Sequence, residues 1–228
     1  MGIEFASDGT VLDLESDVCG TVHIYGKNNT FRVGKNVVFN APLYIEGDNH
    51  LVEIGDDCRI EGGIRIVRGD GGRILVGAGT TFNAVGISMH EAGDIIIGQD
   101  CLFSVDIHMD VSDMHPIYDG GTHERINHAK SIHIGDHVWI GRRTLILKGA
   151  SIGSGSVVGA GSMVTGRIPD KVIAIGSPAC VVRENIIWER EFGAPVVDRP
   201  FASSPDPSTV QDSGSGRRSW LGRLRRRP

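Results

Sequence analysis

The chain has 228 residues, 40% hydrophobic and 22% charged, a balance that builds a globular core and excludes collagenous, wholly disordered and membrane-embedded classes. Its 32 glycines against 6% aromatic residues exclude an ordinary helical bundle, which tolerates little glycine and fills its core with larger side chains. Net charge is −5, but Val196 to Pro228 carries seven arginines against three aspartates, which leaves −9 for residues 1–195; so acidic a body is a poor partner for nucleic acid.

From the N-terminus, Met1 to Thr10 lacks the basic-then-apolar pattern of a secretory signal, and no apolar run approaches the ~18 residues that span a bilayer. The expected location is the cytoplasm. Cys19, Cys58, Cys101 and Cys180 lie 39, 43 and 79 residues apart with no C-x-x-C, so they read as reduced, mostly structural thiols.

An aliphatic followed by glycine then recurs at Val33-Gly34, Ile54-Gly55, Val76-Gly77 and Ile97-Gly98, at spacings of 21, 22 and 21. Turn clusters rich in Gly, Asn and Asp precede these pairs, at Gly26-Lys27-Asn28-Asn29, Gly47-Asp48-Asn49-His50, Gly69-Asp70-Gly71-Gly72 and Ala92-Gly93-Asp94. From Ile134 the rhythm shortens: Ile134, Ile140, Ile146, Ile152, Val158 and Val164 stand at every sixth position, each followed four residues later by a mostly small side chain (Val138, Thr144, Ala150, Ser156, Ser162, Ile168). A period of six fits neither a helix nor an ordinary alternating strand. It predicts a stack of equivalent coils, with the aliphatics as scaffold.

The rhythm breaks between Ile97 and Ile134, 37 residues apart, where one coil of about 18–22 residues is expected. The surplus falls in an excursion over Met109 to Ala129, which holds His115, His123 and His128 and follows His108. Excursions are how a solenoid presents side chains beyond its flat faces. His115 precedes Pro116, which restricts its backbone, and imidazole is the natural general base for a hydroxyl at neutral pH. In an extended backbone Asp113 shares its side and fixes its tautomer; Glu124 is the next carboxylate able to do so.

These features resemble the hexapeptide-repeat proteins that fold as a left-handed parallel β-helix, over roughly residues 20–182. Within them the chain is most similar to the galactoside and maltose acetyltransferases, the xenobiotic acetyltransferases and the O-acetyltransferases of surface polysaccharide synthesis. The resemblance rests on Asp113-Met114-His115-Pro116, on Ile132-His133-Ile134-Gly135-Asp136-His137-Val138-Trp139-Ile140-Gly141, and on Gly159-Ala160-Gly161-Ser162-Met163-Val164-Thr165-Gly166-Arg167-Ile168-Pro169. It implies an all-β enzyme of residues 1–194, closed by a short helix or cap over about 183–192, that works as a homotrimer with its site between neighbouring prisms. The implied reaction is direct acetyl transfer from acetyl-CoA to an acceptor hydroxyl, with His115 and Asp113 catalytic and no metal. The co-substrate would lie along Trp139, Gly141, Arg142, Gly159 and Ala160, its phosphates near Thr165, Arg167, Lys171 and Arg183. The stretch Glu124-Arg125-Ile126-Asn127 is similar to the polysaccharide branch and implies a sugar or glycan acceptor held by Arg125 and Asn127. Two positions depart from the pattern: Gly166 stands where lysine is frequent, and Arg142 where a small polar residue is commoner.

Two other readings fit parts of the chain. His123 and His128 have the H-x4-H spacing of the γ-class carbonic anhydrases, and His133 could complete a zinc site; a β-helix also serves as a non-catalytic scaffold. Residues 195–228 read as a Pro/Ser-rich linker and an arginine-rich tail, Arg217 to Pro228, that carries Trp220, Leu221 and Leu224 and could rest weakly on anionic lipid at the inner face of the membrane.

Overall fold

A computed structural model describes residues 3–201; the arginine-rich tail lies outside the described residues. The described residues contain twenty-one short strands and no α-helix, and no helix among them is long and apolar enough to cross a membrane. The strands wind as a left-handed parallel β-helix of three flanks, as the resemblance to hexapeptide-repeat proteins implies; the period of six appears as the stack of coils.

The first and second flanks belong to one thirteen-stranded sheet, which turns a corner within the long strands Arg59–Val67, Thr81–Met89 and Leu102–Asp110. The third flank is an eight-stranded sheet that includes Thr30–Val33, Arg73–Val76, Ile132–Ile134 and Arg167–Ile168. Register stacks like on like. On the third flank Val33, Ile54, Val76, Ile97, Ile134, Ile152 and Ile168 pair one coil after another, and all are buried. Phe39, Ile60, Phe82, Phe103, Ile140, Val158 and Ala174 do the same on the first flank, and Val22, Leu43, Ile64, Ile87, Met109, Ile146 and Val164 on the second. Stiff β-branched side chains suit so narrow a core, and each buried aliphatic contributes about 1.5–3 kcal/mol. About eight coils result, and the Gly/Asn clusters occupy the corner between the second and third flanks.

At the C-terminal end the strand Ile173–Gly176 pairs antiparallel with Ala179–Arg183, which ends the parallel winding. Residues 184–201 then form a cap of turns and extended backbone, without the short helix that is one of the sequence expectations. Trp188 stacks on the buried His137 with ring centroids 4.0 Å apart and donates its indole N–H to the His137 carbonyl at 3.0 Å. Arg190 reaches back to Asp100 at 2.7 Å and to the Cys101 carbonyl at 2.8 Å, and Arg199 grips Glu189 with both terminal nitrogens at 2.8 Å. Burial works against the Asp100 carboxylate, but hydrogen bonds from His137 and Arg190 outweigh it and hold its pKa below the usual value.

All four cysteines are free. Burial pushes the Cys58 and Cys101 thiols up to about 12, which makes them packing groups and not nucleophiles.

Candidate active site

The excursion leaves the prism after Asp110, at the end of the second flank, and rejoins it at Ile132, the start of the third. It therefore grows from the corner that turn clusters fill in earlier coils. Its tip is a small hairpin: Tyr118 and Arg125 form an antiparallel bridge, and the Ile126 N–H donates to the Ile117 carbonyl at 2.9 Å.

The root of the loop sets the histidine. The His115 N–H donates to the Asp113 carbonyl at 2.7 Å across Met114, whose φ is 64°. A bond from residue i+2 to residue i over a left-handed central residue is the geometry of a classic γ-turn, which is rare and strained. It breaks the extended run that would have put Asp113 and His115 on one side. The His115 ring is exposed and has no hydrogen-bond partner among the described residues. Asp113 instead takes the ammonium of Lys148 and the Asn127 amide at 3.0 Å. The Lys148 contact, aided by Asn127, holds its carboxyl below the usual range.

Around this turn runs a connected polar network. Asn127 is buried; its amide donates to the His115 carbonyl at 2.8 Å, while its oxygen accepts the Ile117 N–H at 2.6 Å. Arg125 is bidentate on Glu91, at 2.7 and 2.6 Å, and this pairing brings the Glu91 carboxyl down to about 2. Glu91 also accepts the Ser112 hydroxyl at 2.7 Å, and that hydroxyl accepts the Met114 N–H at 2.9 Å. Asp110 receives the Ser112 N–H and His90 Nδ1, both at 2.9 Å; burial raises its pKa against these contacts. Lys148 adds bonds to the carbonyls of Asn127 at 3.1 Å and His128 at 3.3 Å. Glu91 lies one coil before the excursion and Lys148 one coil after it, so the loop is fastened from both sides.

Two sequence expectations change here. Arg125 and Asn127, expected to hold an acceptor, are turned into the base of the loop, because a bidentate carboxylate and a buried amide satisfy them there. Asp113 is not on the imidazole, because the γ-turn separates the pair; the Glu124 side chain is exposed and reaches no hydrogen-bond partner among the described residues. His123 and His128 are exposed within the excursion, and His133 lies on the outer side of the third flank.

The nine residues expected along the co-substrate do not converge within one chain. Trp139, 41% exposed, lies on the first flank, tilted against Trp188 with ring centroids 6.0 Å apart. Gly141, Arg142, Gly159 and Ala160 share the corner between the first and second flanks. A Cβ on Gly141 would stand 2.6 Å from the Ala160 nitrogen, and one on Gly159 2.5 Å from Ile175; close stacking of this edge requires glycine. Thr165 is on the excursion corner and Arg167 on the third flank. Arg142, Arg167 and Arg183 are exposed and form no ion pair among the described residues. Lys171 is engaged: its ammonium meets Asp198 at 2.5 Å and lies 5.9 Å from the Phe201 ring centroid. Within the chain it braces the cap.

Sequence reasoning missed Glu91, Ser112 and Lys148. The available signal was positional: Glu91 and Lys148 each sit at the corner one coil away from the break in rhythm.

Comparison with known proteins bears on the site as a whole. Residues 131–166 match the family model described as bacterial transferase hexapeptide, six repeats. A polysialic acid O-acetyltransferase of Neisseria meningitidis is 37% identical over 171 residues, 74% of this chain and 79% of that protein. One from Escherichia coli O1:K1 / APEC is 37% identical over 146 residues, 64% of this chain, which spans about half (47%) of that relative's length. The crystal structure of a polySia-specific acetyltransferase superposes with a TM-score of 0.74 at 33% identity, covering 86% of this chain and 91% of the other.

Proposed function

The chain belongs to the hexapeptide-repeat O-acetyltransferases, and from that premise we propose that it moves an acetyl group from acetyl-CoA to a hydroxyl of a sugar in a surface polysaccharide or its precursor, with His115 as general base. The observation that carries this reading is the γ-turn at Met114, which exposes an unpartnered imidazole on a loop fastened to both neighbouring coils. So rigid a mount is what positioned proton transfer needs.

In the proposed reaction His115 takes the proton of the acceptor hydroxyl as its oxygen attacks the thioester carbonyl. The tetrahedral oxyanion collapses, the C–S bond breaks, and the CoA thiolate leaves with the proton returned from the imidazolium. A backbone N–H at the Gly141 edge or the Trp139 side chain would meet the oxyanion or thioester. Arg142, Arg167 and Arg183, exposed and unpaired, suit the phosphates of CoA, and the small Gly159 and Ala160 suit its pantetheine arm. The His115 loop and the Trp139 edge occupy different parts of one prism, so the complete site forms between adjacent copies of a homotrimer. Acetyl-CoA supply puts the reaction in the cytoplasm.

The test is release of CoA thiol on addition of acetyl-CoA and sugar acceptors. His115→Ala keeps the native melting temperature, because the ring is exposed, and loses about 10²–10⁴ of the rate. Undiminished turnover in that variant would remove His115 from the chemistry.

A further inference from the structure

The outer side of the second flank carries a feature that the chemistry at His115 leaves unused. His23, Tyr44, Arg65, Ser88 and Asp110 stand there in register, one per coil. Aromatic rings build up beside them: Phe5 stacks on Tyr25 with centroids 4.7 Å apart, Tyr25 leans on Tyr44 at 5.6 Å, and the Arg65 guanidinium lies 5.9 Å from the Tyr44 centroid. Phe5 is 44% and Tyr25 38% exposed. Arg65 is exposed and has no carboxylate partner among the described residues. Alongside, Gly63 pairs with Gly86, with Pro42 beside the first and the His108 ring beside the second. The column passes through the buried Asp110, where the chain departs toward His115, and continues to Leu147 in the next coil.

Cross-strand stacking stabilises a sheet by about 0.2–1 kcal/mol per pair and accounts for the aromatic contacts. It does not account for an exposed arginine without a carboxylate partner at the end of the ladder nearer the loop.

We propose that this flank is an acceptor track, on which a carbohydrate chain of several sugars lies along the prism axis while one of its hydroxyls meets His115. The inference rests on the functional reading above and deepens it. Sugar rings place their C–H faces on Tyr25 and Tyr44, and an acidic substituent is gripped by Arg65, whose fork matches a carboxylate. The hydroxyl of Tyr44 donates to Glu46 at 3.1 Å and that of Tyr25 lies 3.4 Å from His23 Nδ1, which fixes rings that are apolar in body and polar at the rim. Coils are about 4.7–4.9 Å apart, close to the advance of one pyranose. Tyr44 is three coils, roughly 14 Å, from Asp110, so short acceptors never reach it. The strip is two side chains wide, the shape of a linear ligand; a second copy of the chain would need a patch of about 800 Å².

Tyr44→Ala and Arg65→Ala test this with acetyl-CoA and two acceptors, a monosaccharide and a hexasaccharide of acidic sugars. Both variants raise KM for the hexasaccharide about tenfold or more, leave kcat and the monosaccharide kinetics unchanged, and weaken binding of a fluorescent hexasaccharide equally; Arg65→Lys recovers part of the loss. Unchanged hexasaccharide KM and binding overturn the track while transfer itself stands. Binding that depends on Tyr44 and Arg65 without transfer to any sugar supports the track and sinks the functional reading instead. A changed oligomeric state of either variant by light scattering assigns the flank to a second copy and overturns the proposal.

Discussion

The carboxylate of Asp113 and the imidazole of His115 do not meet; the carboxylate rests on Lys148, from the following coil. Asp113 therefore acts on the histidine through the backbone, by anchoring the turn that carries it.

This arrangement makes Asp113 and Lys148 one unit. Asp113→Asn and Lys148→Met each lower kcat about tenfold with little change in KM for acetyl-CoA, and the double variant is no worse than either single one. Steady-state thiol release checks it; additive losses would show that the two act separately.

The Glu91 and Arg125 pair gives the loop a sensitivity to acid. Arg125 holds the Glu91 carboxyl at about 2, below its ordinary value near ~4.3. A depressed pKa stabilises the fold above the unfolded value, and that stabilisation fades as pH falls from there toward about 2. The melting temperature of Glu91→Gln is accordingly below the native one at pH 7, and the gap narrows as pH falls below ~4.3. Thermal melts across this range measure it; a gap that widens on acidification would contradict the assignment.

Trp188 is 8% exposed between the rings of His137 and Trp139. Its replacement by alanine costs about 3–5 kcal/mol, as large-to-small changes at buried aromatics do, and loosens Trp139. Urea unfolding measures the loss, and a destabilisation below ~1 kcal/mol would show the cap to be dispensable.

The inward aliphatics were legible because winding converts a spacing of six into a column: Ile134, Ile152 and Ile168 are adjacent in space as their positions require. The excursion that carries His115 was legible because its tetrapeptide interrupts that spacing. The side chains that mount it were not, since Glu91 and Lys148 meet the loop across coils, at separations of 34 residues to Arg125 and 35 to Asp113. Asp113 was given the wrong contact because the left-handed backbone of Met114 leaves no trace in residue type; methionine is an unusual occupant of that region. The cap hid for the opposite reason: His137 carries part of the fastening from inside a regular hexad, where nothing in the rhythm marks it.

Arg190 touches the Gly79 carbonyl and Thr81 in one coil and Asp100 and Cys101 in the next, while Trp188 holds His137 in the third. A stacked array fastened in this way does not fray evenly from its two ends. Loss of order on heating begins at the first coils, where Ile3, Leu12 and Phe5 are already partly bare, and the half of the molecule that bears His115 is the last to melt.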